Sequence, residues 1–219
     1  MSEERREDAA WVRIATALSP ATLATFCQDA ERLLRINSMY EFQEWRPQGE
    51  GRFFMRVRNL SNGRTIETPV RVEPRPDGVR IVYEVGLKTA TSFRVEPLAA
   101  NGERGETGAD RGAVLVVIDD YSETPEAERR ARAGEIDKSL VWWGHDLHRY
   151  LRHWARWSGF APWRWYMRRV WQPMKPTARR ITYMLIAISV FELVVGLLAI
   201  VIFAFGWEKN IQALLGGPE

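Results

Sequence analysis

Residues 51–86 read GRFFMRVRNLSNGRTIETPVRVEPRPDGVRIVYEVG, and their alternation decides the fold. Met55, Val57 and Asn59, then Ile66, Thr68, Val70 and Val72, then Val79, Ile81, Tyr83 and Val85 share one parity. Arg56, Arg58, Glu67, Arg71, Arg80 and Glu84 take the other. Successive strand side chains point to opposite faces, so this pattern predicts antiparallel strands with one covered and one solvated face. Asn62-Gly63 predicts a tight hairpin turn, and 74–78 (PRPDG) turns the chain again. Pro69 falls on the outward set, where it marks a bulge or an edge.

The pattern extends both ways. Upstream, Tyr40 to Arg46 is a strand that Pro47-Gln48-Gly49 separates from Gly51 to Leu60. Downstream, Thr89 to Pro97 continues the inward set with Thr91, Phe93 and Val95, and Ala113 to Asp119 is the last strand. Between them, 99–112 (AANGERGETGADRG) is Gly-rich and charged and reads as an exposed loop. At the start, Trp11 to Leu18 alternates as a first strand. Ser19-Pro20 then supplies an N-cap and a first-turn proline. Two short helices follow, the second over Ala30 to Ile36.

A long helix is expected from about Pro125 to Trp157. Taking Ile136 as reference, Leu140, Trp143, Leu147, Tyr150, Leu151 and Trp154 fall on one stripe, while His145, Arg149, Arg152 and Arg156 fall opposite. The expected fold is therefore α+β, a curved antiparallel sheet wrapped around a long C-terminal helix.

The element order, together with 18–45 (LSPATLATFCQDAERLLRINSMYEFQEW), resembles the START-like or SRPBCC superfamily, also called the helix-grip or Bet v 1-like fold. The resemblance covers residues 10 to 156. Its helix-pair segment ends here in Ile36-Asn37-Ser38, where relatives commonly carry a proline. The resemblance implies a hydrophobic cavity between sheet and helix. The superfamily includes carriers, cyclases and hydroxylase domains, so fold alone does not choose among them.

After the domain comes ITYMLIAISVFELVVGLLAIVIFAF, residues 181–205, with Glu192 as its single charge. Roughly 20 apolar residues cross a hydrocarbon core about 30 Å thick, so this reads as a transmembrane helix. Residues 158–180 before it hold a basic and aromatic tract. Trp163, Arg164, Trp165, Arg168, Arg169, Trp171, Lys175, Arg179 and Arg180 are the expected membrane-interface residues, with anionic lipid headgroups as their partner.

From Trp157 onward there are seven Lys or Arg against three Glu, whereas the first 156 residues hold 24 basic and 25 acidic groups. The basic excess thus belongs to the flank of the span, and a nucleic-acid partner is not suggested. Six basic residues lie between Arg164 and Arg180 and one, Lys209, after the span. The positive-inside rule then puts the large domain in the cytoplasm, at the inner membrane of a bacterium. MSEERREDAA at the start has no apolar core for a signal peptide, and the single cysteine, Cys27, fits a reducing compartment. The expected organisation is a tail at 1–9, the domain at 10–157, the juxtamembrane segment at 158–180, one span at 181–206 and a tail at 207–219.

Within the span, Ser189, Glu192 and Gly196 lie on one face, with Ala199. A charge at mid-membrane costs on the order of 2.5 to 3.5 kcal/mol on insertion scales, so Glu192 is either protonated in lipid or faces protein. Small residues beside it suit association with a second copy or another membrane protein.

The candidate cavity residues are Val57, Asn59, Thr68, Val70, Ile81, Tyr83, Phe93, Val95 and Asp119. Asp119 shares the parity of Leu115 and Val117, and with Asp120 it is either a carboxylate pair for acid-base work or simply a strand end. Asn59, Thr68, Tyr83 and Thr91 are polar on an apolar face, so they pair with one another or meet a ligand. His145, His148 and His153 point apart on the helix wheel. No phosphate loop, nucleophile elbow or metal spacing occurs, so no catalytic residue, metal or cofactor is assigned. The expected function is binding or carriage of an apolar molecule (lipid, sterol, quinone or polyketide-like) at the membrane surface. The alternatives are a cyclase- or aromatase-like enzyme on a membrane-borne substrate, and a ligand-free scaffold or chaperone.

Overall fold

The computed structural model describes residues 8–98, 112–131 and 133–204, with side chains from residue 139 onward in the last of these. The chain divides into two units, 1–176 and 177–219. The first unit begins with β1 (Ala9–Thr16). Ser19 Oγ accepts from Thr22 N at 3.3 Å and Pro20 opens α1 (Pro20–Cys27), the pre-set start that the sequence predicts. Asp29 accepts from Arg32 N at 3.0 Å and starts α2 (Ala30–Ile36).

Six further strands follow: β2 (Tyr40–Gly49), β3 (Arg52–Asn59), β4 (Thr65–Arg75), β5 (Gly78–Tyr83), β6 (Ala90–Pro97) and β7 (Ala113–Asp120). All pair antiparallel, in the order β1-β7-β6-β5-β4-β3-β2. The first strand therefore returns beside the last, and α1 and α2 link the two edges of the sheet. Helices α3 (Glu126–Ala131) and α4 (Ala133–Trp157) cover the expected long helix, with residue 132 outside the described residues. Residues 99–111 of the expected loop also lie outside them.

Two strands run further than proline punctuation suggests. β2 continues through Pro47, which pairs with Phe53, with register irregularities at Phe42/Glu44 and Pro47/Gly49. As the sheet's edge, β2 has no second neighbour to miss the proline's N–H. β4 continues through Pro69 and Pro74. Pro69 O accepts from Glu84 N at 3.1 Å, so its missing N–H faces the β5 side, one residue before β4 and β5 begin to pair at Val70 and Tyr83. The β4–β5 turn depends on Gly78, at φ +154°, where a Cβ would meet Phe93 O at 1.9 Å.

The inward parity forms the core. Met55, Val57, Val70, Val79, Ile81, Phe93, Leu115 and Val117 are buried together with Leu140, Trp143, Leu147, Tyr150, Leu151 and Trp154 of α4. Burying each large side chain stabilises by roughly 1.5–3 kcal/mol. Trp143 is fully buried at the centre, its ring edge-on to Phe93 at 5.3 Å between centroids. Two to three turns further along α4, Tyr150 and Trp154 form an aromatic layer with Phe26, over which the Arg32 guanidinium lies, 4.0 Å from the Phe26 ring and 4.9 Å from Trp154. Gly144 lets α4 approach β1 closely, since a Cβ there would meet Val12 Cγ2 at 3.0 Å.

Beyond α4, α5 (Ala161–Tyr166) continues into a π-helical turn at Met167–Trp171. In the second unit, α6 (Pro176–Ala204) is 29 residues long, about 43 Å at 1.5 Å per residue, which exceeds a hydrocarbon core of about 30 Å. It is the one helix among the described residues long and apolar enough to cross a membrane.

Candidate functional site

The site grows from the β6–β7 register. Thr91 and Asp119 are direct cross-strand partners, and Thr91 Oγ1 donates to Asp119 Oδ1 at 2.6 Å. Tyr83, at the end of β5, donates its hydroxyl to Thr91 Oγ1 at 3.1 Å. Asp119 is fully buried, so its charge requires a counter-ion. Lys88 supplies it: its ammonium bonds Asp119 Oδ2, which also accepts from the Tyr121 hydroxyl at 3.5 Å.

Lys88 reaches this position from the β5–β6 connection, which is tied down on both sides. Tyr83 N donates to Thr89 O (3.0 Å), Thr89 N to Asp120 O (2.8 Å) and Thr124 Oγ1 to Leu87 O (2.6 Å). The ammonium also lies 5.3 Å from the Trp143 ring centroid, a cation–π contact. Burial disfavours its charge, but the Asp119 carboxylate and the surrounding Tyr40, Tyr121 and Tyr83 outweigh that cost and hold Lys88 well above the ordinary lysine range. Burial pushes the Tyr83 and Tyr121 phenols up as well, against the pull of Lys88. At neutral pH Lys88 is therefore an ammonium, and Tyr83 and Tyr121 keep their hydroxyl protons.

Lys88 and these tyrosines form one end of a cavity of about 90 Å³. Its polar lining includes Tyr40, Asn59, Tyr83, Lys88 and Tyr121, and its apolar lining Met55, Ile66, Val85 and Leu87. Asn62 and Arg64 of the β3–β4 turn and Gly86 of the β5–β6 connection stand at the same end of the sheet. Sites that enclose a whole drug-sized ligand measure about 300–1,000 Å³, so this one receives only part of such a molecule.

The structure divides the expected cavity residues. Asn59 and Tyr83 lie on the wall. Val57, Val70, Ile81 and Phe93 lie in the packed core, and Val95 is half-buried against it, because the α4 stripe around Trp143 fills that part of the grip. Thr68 spends its hydroxyl on backbone, accepting from Val85 N (2.9 Å) and donating to Pro69 O (2.9 Å). Asp119 sits behind the wall and fixes Lys88. Asn59 Oδ1 accepts from Ser61 N (3.0 Å) and Ser61 Oγ (2.7 Å). Lys88, Tyr40 and Tyr121 carry no period-two signal strong enough to mark them. The one available clue is that an inward-facing Asp119 demands a cation at the same end of the sheet.

The juxtamembrane residues also divide. Trp163 packs on Trp154 at 5.5 Å and Trp171 on Tyr150 at 5.3 Å, with Met167 buried between elements of the core. Arg164 is half-buried and donates to the Ser158 carbonyl. Trp165, Arg168 and Arg169 are exposed, as is Lys175, which pairs with Glu41 at 2.7 Å. In the second unit Arg179 is buried, and Arg180, Ser189, Glu192 and Gly196 are exposed. His145, His148 and His153 are exposed, and among the described residues no three His, Cys, Asp or Glu side chains gather as for a metal.

Seven antiparallel strands, a helix pair between the first two, and a long helix against the inner face define one architecture. The chain has the START-like, helix-grip fold. No protein-family model and no curated protein matches it. Among solved structures, this helix-grip chain is similar to the Zhui aromatase/cyclase of Streptomyces sp. R1128, at 14% identity over 69% of this chain and 97% of that one, TM-score 0.49. It is also similar to DR_A0006 of Deinococcus radiodurans, at 16% identity over 66% and 95%, TM-score 0.43. For Ara h 8.0201 the figures are 12% identity over 65% and 96%, TM-score 0.37. The strand order and the helix positions of the chain itself carry the helix-grip fold.

Proposed function

We propose that this chain is a membrane-anchored START-like protein that binds a hydrophobic molecule at the cytoplasmic membrane surface. One observation carries this reading: the cavity has apolar walls at Met55, Ile66, Val85 and Leu87 and a polar end at Lys88 and its tyrosines. A few fixed polar groups in an apolar recess orient a ligand, and burial at about 25 cal/mol per Å² of apolar surface provides affinity. Anchoring follows from α6, with Trp165, Arg168, Arg169 and Arg180 as the exposed residues for the headgroup layer. Ser189, Glu192 and Gly196 then form a contact face for a second copy.

The test uses the full chain, purified in mild detergent. Native mass spectrometry is expected to find a co-purifying apolar molecule, lost when Ile66→Trp fills the cavity. Nile red is expected to compete with it. Equal retention by the wild type and Ile66→Trp, or no retention by either, refutes the reading.

The buried Tyr83–Thr91–Asp119–Lys88 chain favours a second reading, a cyclase- or aromatase-like enzyme that uses the fixed ammonium to polarise an oxygen of a membrane-borne substrate. It predicts that removing Tyr83 or Lys88 abolishes turnover of a bound substrate that the variants still hold.

A further inference from the structure

Resting on the ligand-site reading above, we propose that the ligand enters this cavity with a neutral carbonyl oxygen, which accepts hydrogen bonds from the Lys88 ammonium and the Tyr40 hydroxyl. The donor inventory points this way. Lys88 has three N–H donors and one partner, Asp119, which leaves two without a partner among the described residues. Tyr40 is buried, lines the same cavity and makes no side-chain hydrogen bond among the described residues. Asn59 has its carbonyl oxygen engaged by Ser61 and its amide group available. Tyr83 and Tyr121 already donate, to Thr91 and Asp119. The unspent capacity on this wall is thus mainly donor capacity, and its complement is an acceptor.

Charge decides which acceptor. Asp119 already neutralises Lys88, so the buried cluster carries no net charge, and the Arg64 cation at this end of the sheet is exposed to solvent. An entering carboxylate would add a second buried anion to one cation and leave its desolvation uncompensated. A neutral carbonyl accepts from the same donors and adds no charge. A covalent imine is not expected, because an ammonium paired with Asp119 is neither nucleophilic nor readily deprotonated. At about 90 Å³ the recess holds the carbonyl-bearing head, and the apolar remainder extends along Ile66, Val85 and Leu87.

Three probes of one chain length test this on the full chain in detergent: 2-undecanone, undecane and undecanoate. The ketone is expected to bind about tenfold more tightly than either of the others, the worth of a hydrogen bond to a charged donor. The carbonyl resonance of carbon-13-labelled ketone is expected to move downfield on binding. Lys88→Met combined with Asp119→Asn removes the ammonium without stranding a buried carboxylate and should erase the preference for the ketone over undecane. Tyr40→Phe, which leaves the ion pair intact, should lower that preference on its own. Undecane binding as well as the ketone, or undecanoate binding better, overturns the carbonyl inference while the cavity remains a ligand site. If none of the three probes binds, the ligand-site reading falls and this inference falls with it.

Discussion

Trp143 donates its indole N–H to the carbonyl oxygen of Leu33 at 3.1 Å, joining the centre of α4 to the last turn of α2. Both groups are buried, so the bond has no water to replace it. Trp143→Phe keeps an aromatic ring against Phe93 but leaves that carbonyl without its donor. It is expected to destabilise the domain by about 1–3 kcal/mol, and Trp143→Ala by about 3–5 kcal/mol through the added cavity. Urea unfolding of the full chain in detergent, followed by near-ultraviolet circular dichroism, measures both.

The Lys88–Asp119 pair sets a pH dependence whose sign follows from Lys88. Its pKa in the folded chain is raised above the unfolded value, so the stabilisation is complete below about pH 10.4 and is lost only as pH rises through the folded value. Stability of the wild type is therefore expected to be insensitive to this group from pH 6 to 9, a window of roughly neutral conditions well below the lysine range. In Asp119→Asn the largest influence opposing the burial penalty on Lys88 is gone, and its pKa is expected to fall below the unfolded value. That variant should be weaker by about 3–5 kcal/mol near neutrality and regain stability as pH rises toward about 10. A flat pH profile for the variant would contradict the assignment of Asp119 as the partner that keeps Lys88 charged.

Much of the fold was legible because period two and helical spacing report which face is covered. The stripe from Leu140 to Trp154 and the inward set from Met55 to Phe93 are buried as their spacing requires. The cavity was not legible, because alternation says that a residue faces inward and does not say what lies opposite. Val57, Ile81 and Phe93 share parity with Tyr83, yet the bulk of Trp143 turns their part of the interior into solid core. Proline misled for a related reason. Pro47 and Pro74 read as breaks, and whether a missing N–H breaks a strand depends on neighbours that only the strand order reveals. Lys88 sits in a connection and is fixed by Asp120 and Thr124, some thirty residues on, a relationship with no local signature.

Cys27 is a built-in reporter of unfolding. It is fully buried, and burial pushes its thiol up to about 12, against the opposing influence of Arg32. An exposed cysteine, with a pKa near 8.5, reacts readily with a disulfide reagent at pH 8, whereas folded chain should not. Because the folded pKa is the higher one, stability from this group is complete below about pH 8.5 and declines as pH rises from there toward 12. Labelling with 5,5′-dithiobis(2-nitrobenzoate) across a urea titration should track the loss of tertiary structure. Rapid stoichiometric labelling of the native chain would mean that α1 does not seal this position.

Gly78 offers the sharpest local test of the β4–β5 hairpin. At φ +154° a side chain is strained, and a Cβ at this position would lie 1.9 Å from Phe93 O, a backbone atom of the neighbouring strand. That strand cannot retreat freely, since Val79 pairs with Phe93 and Gly78 with Arg94 in the same register, and Gln28 Nε2 donates to Gly78 O at 3.0 Å from α1's end. Gly78→Ala must therefore part β5 from β6 locally, at a cost expected to exceed the roughly 1 kcal/mol of an ordinary glycine substitution. The same change at Gly63, where a Cβ meets nothing within 4 Å, carries the strain of φ +71° without the clash. Urea midpoints for the two variants should rank Gly78→Ala well below Gly63→Ala, and equal midpoints would show that the hairpin does not pack against Phe93 as closely as this register requires.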